Sequence, residues 1–372
     1  MARHKIGIGV LAGFMPPIDG IVKNASQNED QGYHSLWWAD HLMSWTPESI
    51  WTPDIGDIAK YVPNPHGYLD PISTMAAVAM GTGTIRLGTS VTEILRRHPA
   101  MLAQEFLSLD HISKGRAILG LGAGEGENTI PYGVDFTFTA SKVEEALQVI
   151  RLLWSTDQPV DFEGRFFRLH KAVLGLRPYG QKPPPIWLAA MGPRMLDICA
   201  RCADGWLPTF MPIEEYGRKL AQILELAKGY GRDTSDFHGS LWTYLVVDED
   251  HEECHRILEN PIIKNYAMIA PTEMFAKHGA EHPLGPDRVG LRDYIPTHFG
   301  REEALDAIRR IPAGVAQEFI MHGTPDELIA QLEDYADHGL QSIVMANISF
   351  MGKMSKLSSS YKHLLKVMEH FR

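Results

Sequence analysis

The chain is predicted to fold as a (β/α)8 barrel, the TIM-barrel class of α/β architecture, with long insertions at the C-terminal face. Three observations predict this. Short apolar runs alternate with longer helical stretches along nearly all of the 372 residues, and strands that alternate with helices pair in parallel through right-handed crossovers. Eight such runs lie outside one hairpin-like interruption. Several of them end abruptly in polar or glycine-rich residues, the mark of a strand buried on both faces that opens into a site at its C-terminal end. A doubly wound open sheet is the alternative that the same alternation allows.

The elements follow in order. Ile6–Leu11 is the first strand, followed by a helix over Gly20–Gln31 and a second strand over Ser35–Ala39. Asp70-Pro71 caps and starts a helix through Met80, because proline is tolerated in a first turn. Ile85–Thr92 is the third strand, and Pro99–Ile112 is a helix with a similar proline start. Ala117–Gly122 is the fourth strand, and Ser141–Trp154 a helix with Ser141-x-x-Glu144 as a capping box. Val160–Val173, with β-branched and aromatic residues around Glu163-Gly164, is a small hairpin. The alternation then resumes: strand Ile186–Ala190, helix Pro193–Ala203, strand Trp206–Pro208, helix Ile213–Lys228, strand Leu241–Val247 and helix His251–Tyr266. Helix Pro325–His338, strand Ser342–Ala346 and helix Leu357–His370 close the chain.

A barrel needs about 250 residues, so the remainder is elaboration of one barrel domain spanning 1–372. Insertions are expected at about 43–69, 157–175 and 270–300. The first and last are rich in proline, glycine and aromatics. Their length suits lids over the barrel mouth or a subunit interface.

Composition excludes several classes. Net charge is -11, from 46 acids against 35 bases, which argues against nucleic acid as a partner. The three cysteines form no disulfide framework and fit a reducing compartment. The N-terminus lacks a signal-peptide pattern, and no uncharged apolar run is long enough to span a bilayer. The expectation is a cytoplasmic protein, a homodimer, with a small-molecule or lipid-like substrate.

Six motifs carry chemistry or imitate it. Ser35-Leu36-Trp37-Trp38-Ala39-Asp40-His41 is a buried strand that ends in an acid and an imidazole. Leu119 to Gly126 is glycine-rich after a strand, but Glu125 and Glu127 stand where a dinucleotide fingerprint needs glycine. Its glycines read instead as a strand end whose missing side chains admit a flat ring, with Glu125 projecting beside Asp40 and His41 or else a solvated loop acid. Ala190-Met191-Gly192-Pro193-Arg194 is a strand end that opens a helix. It is either a plain turn or a phosphate site built from free N–H groups and Arg194. Thr89-Ser90-Val91-Thr92 ends the third strand in small residues suited to ring contact. His251-Glu252-Glu253-Cys254-His255 matches H-E-x-x-H literally, but the acids around it mark an exposed helix start, and Cys199-x-x-Cys202 lacks a second pair. No metal site is expected.

Together, Trp38-Ala39-Asp40-His41-Leu42, Gly88 to Thr92, Gly120 to Glu125 with Asn128, Ala190 to Arg194 and Ala203-Asp204-Gly205-Trp206 resemble the luciferase-like (β/α)8 flavin and deazaflavin oxidoreductases, most closely the branch that uses coenzyme F420. The inserts Ile58 to Pro63 and His282 to Gly285 are similar to phthiodiolone ketoreductase-like proteins, which reduce a keto group on a long lipid. The resemblance implies roles residue by residue. His41 would be the general acid or base, with Glu125 a second. Asp40 would contact the cofactor and hold the site in register. Thr89, Ser90 and Val91 would form a bulge behind the ring, with a cis peptide between Ser90 and Val91. Gly124 and Asn128 would lie beside the cofactor. Ala190, Met191, Gly192, Pro193 and Arg194 would hold its phosphate, and Trp45 would line the substrate pocket. The implied activity is hydride transfer between F420 and a carbonyl, alcohol or imine-type carbon of a bulky substrate. The rivals are an FMN-dependent monooxygenase and a non-catalytic cofactor-binding barrel.

Overall fold

A ring of eight parallel strands organises the computed structural model, which describes residues 2–372. The strands are β1 (Gly7–Leu11), β2 (Ser35–Trp38), β3 (Arg86–Thr89), β4 (Ala117–Gly122), β5 (Ile186–Leu188), β6 (Gly205–Trp206), β7 (His238–Val247) and β8 (Ser342–Asn347). Each pairs with the next, and β8 returns to β1 from Gly7↔Ser342 to Val10↔Met345. The ring is closed, so the fold is the (β/α)8 barrel and not the open sheet.

Side-chain alternation along each strand divides the core. Trp37 points into the barrel with Ile118, Trp187, Leu207 and Val344, whereas Leu36 and Trp38 face the surrounding helices. The interior is filled with aromatic surface: Trp37 lies 5.2 Å from Trp187, which stacks on His238 at 4.3 Å. The barrel is therefore a packed core with its chemistry confined to one rim.

β7 is the longest strand. Its start pairs with β6, its middle with β8 and its end with a short extra strand, Met321–Gly323. Residues 248–320 lie between β7 and that extra strand, so the elaboration is longer than the 270–300 expected. Two of its helices, Arg301–Arg309 and Ala313–Phe319, were not anticipated. The segment packs against residues 43–69 through Trp51, Ile58 and Ala59 on Ile262, and through Ile50 on Ala304 and Ile308. Val160–Glu163 and Arg168–Ala172 form the expected hairpin.

Three local expectations are corrected. The helix expected over 251–266 stops at Leu258, because Asn260 accepts the Ile262 N–H at 3.0 Å and Pro261 begins a new short helix. Ser141 caps nothing: the helix begins at Thr139, and the Ser141 hydroxyl accepts from Arg194 at 2.6 Å. A capping box does form at Thr324 and Glu327. The third strand is not continuous to Thr92. It ends at Thr89, and Thr92–Glu93 pairs separately with β4 beyond a cis Ser90–Val91 peptide. Asp70 does cap its helix, accepting the Ser73 N–H at 2.8 Å.

Candidate active site

Asp40 and His41 follow β2, the Ser90–Val91 peptide follows β3, Glu125 follows β4, and Ala190 to Arg194 follow β5. Parallel strands put all four segments on the C-terminal rim.

The Asp40 carboxylate is almost fully buried and held by three side chains. Oδ2 accepts the Thr92 hydroxyl at 2.6 Å and Arg97 Nε at 3.2 Å, and Oδ1 lies 3.3 Å from Arg96 Nη2. Arg96 also donates to the Asp40 carbonyl at 2.6 Å and to Glu93 at 2.5 Å, and Arg97 reaches Asp70 at 2.6 Å. With its oxygens thus occupied, Asp40 fixes the turn that presents His41.

His41 is the centre of the polar cluster. Its Nδ1 lies 3.0 Å from Glu127 Oε1 and 3.0 Å from Asn128 Nδ2, and its Nε2 lies 3.5 Å from Glu125 Oε2. Asn128 is oriented by accepting the Leu42 N–H at 2.7 Å through Oδ1, so its amide nitrogen faces the Glu127 carboxylate at 2.7 Å and the imidazole. The Glu125 and Glu127 carboxyls are both pushed well above their ordinary range. Burial is the main cause, and for Glu125 the neighbouring Glu127 adds to it. Glu127 is fully buried and its Oε2 has no partner, whereas 31% of the Glu125 side chain is exposed. The pair therefore holds a proton at neutral pH, with Glu125 on the open side.

Aromatic residues wall this cluster. Trp45 meets the His41 ring edge-on at 6.2 Å and stacks on Tyr294 at 6.2 Å, and Tyr68 lies 5.6 Å from His41. Asn265 donates to the Trp45 carbonyl at 2.8 Å and accepts from the Tyr294 hydroxyl at 2.5 Å. The Gly126 N–H donates to the Leu291 carbonyl at 2.7 Å. Thus the long insertion after β7 positions both the wall and the Glu125 loop.

The glycines do a different job from the one expected. A Cβ at Gly120 would lie 1.8 Å from the Thr89 carbonyl oxygen, and one at Gly122 would lie 2.6 Å from Val91 Cγ2. Their bareness admits the neighbouring strand and its bulge, not a ring. Gly124 adopts φ +86° against Glu93, Leu95 and Phe136, which fits a turn requirement. The Thr89 hydroxyl donates to the Gly120 carbonyl at 2.7 Å, and Ser90 Oγ is buried with no partner.

At the end of β5, Gly192 caps the helix Pro193–Cys202. The Ala190 carbonyl accepts from Trp206 Nε1 at 2.8 Å and the Met191 carbonyl from Lys219 Nζ at 3.1 Å. A Cβ at Gly192 would meet nothing within 4 Å. Arg194 turns outward to Ser141 and Glu144. A cation on this turn is therefore Lys219, which also pairs with Glu215 at 2.8 Å and which the sequence reading missed. It also missed Glu127, Arg96, Arg97, Asn265 and Tyr294, whereas Tyr68 was expected among the aromatic residues at the barrel mouth. The only available signal was for Glu127, which stands between two residues already singled out.

The family model described as luciferase-like monooxygenase matches residues 2–342. A phthiodiolone/phenolphthiodiolone dimycocerosates ketoreductase from Mycobacterium tuberculosis is 37% identical over 324 residues, covering 86% of this chain and 85% of that one. An F420-dependent glucose-6-phosphate dehydrogenase from Amycolatopsis mediterranei is 29% identical over 347 residues, covering 91% of each. Among solved structures, an F420-dependent secondary alcohol dehydrogenase bound to an F420-acetone adduct superposes with a TM-score of 0.76 at 21% identity, covering 99% of each chain. The closed barrel, the polar rim and these matches agree that the chain belongs to the luciferase-like family.

Proposed function

We propose that this protein is an F420-dependent oxidoreductase that moves a hydride between the deazaflavin and a carbonyl or alcohol carbon of a bulky, largely apolar substrate. One observation carries the reading. His41 is held on the rim with a buried carboxyl on one ring nitrogen and a second, partly open carboxyl on the other, inside an aromatic wall. That arrangement suits a proton relay that opens onto the rim.

The residues present fit the cofactor. The unpartnered Ser90 hydroxyl and the bulge after β3 offer polar contact for a ring. The open backbone at Gly192, the free N–H groups of the following helix turn and Lys219 suit a phosphate. When bound, F420 supplies a carbon that gives or takes hydride. The chain's own residues do the rest. As charge develops on the carbonyl oxygen, His41 supplies a proton. Glu127 and Asn128 keep the ring oriented, and Glu125 replenishes the proton from the open side. Trp45, Tyr68 and Tyr294 exclude water and hold the acceptor near attack distance.

The substrate class rests on apolar surface. Leu42 follows β2, and Ile130 and Tyr132, on a short helical turn, follow β4, so all three are exposed at the C-terminal rim that also carries the aromatic wall. Such a lining suits a lipid-like chain, in keeping with the substrate named for the mycobacterial relative. Purified protein titrated with F420 and with FMN tests the reading. Retention of F420 with weaker FMN binding is expected. Tight FMN binding with oxygen-dependent turnover would favour a monooxygenase, and binding of neither would favour a non-catalytic barrel.

A further inference from the structure

The H-E-x-x-H stretch was set aside because the acids around it mark an exposed helix start. The fold supplies the missing partner. His251 and His255 lie one turn apart on the helix His251–Leu258, and His322 comes from the short strand Met321–Gly323 on the end of β7. One ring nitrogen from each of the three lies within 4.8 Å of the others. The ring centroids are 4.5 Å apart for His251 and His255, 5.2 Å for His255 and His322, and 6.0 Å for His251 and His322.

A second observation is independent of that proximity. His322 Nδ1 faces the Ile320 carbonyl at 3.0 Å, and His251 Nδ1 faces Glu327 Oε2 at 3.0 Å. Each contact places the proton on Nδ1 and leaves a lone pair on Nε2, which is how metal-binding imidazoles are oriented by carbonyl and carboxylate partners. Glu327 is itself fixed, because its carboxylate also accepts the Thr324 N–H at 2.8 Å.

We infer that His251, His255 and His322 form a divalent zinc-class metal site with three imidazole ligands and a fourth position open to water. Zinc–nitrogen bonds of about 2.0–2.1 Å place tetrahedral ligands about 3.4 Å apart, so small rotations of the side chains close the set. His255 and His322 bracket residues 256–321, the segment that delivers Asn265 and Tyr294 to the wall around Trp45. A metal at this point fastens the two ends of that segment together. Closing a long loop in this way restricts the unfolded chain most.

Untagged protein, stripped with a chelator and titrated with ZnCl2 alone against a chromophoric indicator, tests the site. The expected result is one zinc per chain. Affinity should fall by at least about 100-fold in His255→Asn or His322→Gln and by about 10-fold in Glu327→Gln, with far-ultraviolet circular dichroism unchanged. Binding well below one equivalent would overturn the inference, as would full binding in the triple histidine variant. Loss of zinc in Glu127→Gln would place the metal at His41 instead and also overturn it. Limited proteolysis of the unmutated protein gives a readout that needs no variant. Zinc should slow cleavage within 256–321 several-fold, and equal rates with and without zinc would refute the fastening.

Discussion

Replacing Asp40 by asparagine tests how the rim is held. The change keeps the shape and removes the charge that faces Arg96 and Arg97, and it turns an amide N–H₂ toward one of them. The Asp40 side chain is 4% exposed, against 13% for Arg96 and 23% for Arg97. Breaking a buried pair from one side costs about 3–5 kcal/mol. Two features pull toward the lower end: Arg96 keeps Glu93 at 2.5 Å and Arg97 keeps Asp70 at 2.6 Å. The expected loss is therefore about 3 kcal/mol, read as a lower urea midpoint with an unchanged slope. Because Asp40 positions His41 without exchanging a proton, kcat/KM should fall while the shape of its pH profile stays the same. A stability loss under about 1 kcal/mol, or a shifted pH profile, would show that the carboxylate is not the anchor described.

Other predictions follow from the same geometry. His41→Ala should lower kcat for ketone reduction by about 10²–10⁴-fold, equivalent to about 3–5 kcal/mol of barrier, with F420 affinity little changed; full turnover would remove His41 from the reaction. The Glu125–Glu127 pair is raised from 4.5 to about 8, so reduction should be level at neutral pH and decline above about pH 8 as the proton is lost. A Glu125→Gln/Glu127→Gln double variant should abolish that decline, and a wild-type profile in the double variant would refute the relay. The same shift means that the folded state binds the proton more tightly than the unfolded chain. The pair's contribution to stability is thus greatest below about pH 4.5 and diminishes as pH rises towards 8, which urea midpoints across that window would measure. Lys219→Ala should weaken F420 binding by about 10-fold, or about 1.4 kcal/mol, and isothermal titration showing no change would put the phosphate elsewhere.

The barrel was legible because its cause is local. Alternating apolar runs and proline-started helices are written residue by residue, and Asp40-His41 stands where a buried strand must end. What escaped the sequence depends on distant partners. Arg96 and Arg97 look like ordinary loop cations until the chain folds them back on Asp40. Glu127 was read only as the absence of a glycine, because the burial of its carboxyl against His41 depends on the fold and has no sequence signature. Gly120 and Gly122 were assigned to ring access, but the approach of Thr89 and Val91 explains them. Ser141-x-x-Glu144 fits a capping pattern, yet Arg194 and the earlier helix start take the hydroxyl elsewhere. Pro261 was a visible stop signal inside the expected 251–266 helix, and passing over it hid the true extent of the insertion. Asn265 and Tyr294 could not be linked to Trp45 by spacing, since their contacts span more than 200 residues.

The most direct test of the proposed chemistry follows the hydride itself. Reduced F420 carrying deuterium at its reactive carbon is mixed anaerobically with the enzyme and a long-chain ketone, and the product alcohol is examined by mass spectrometry. Transfer of one deuterium to the carbinol carbon, slowed about 10²-fold or more in His41→Ala, is the predicted result. Unlabelled alcohol, or product formed only when oxygen and reduced FMN are supplied, would contradict it.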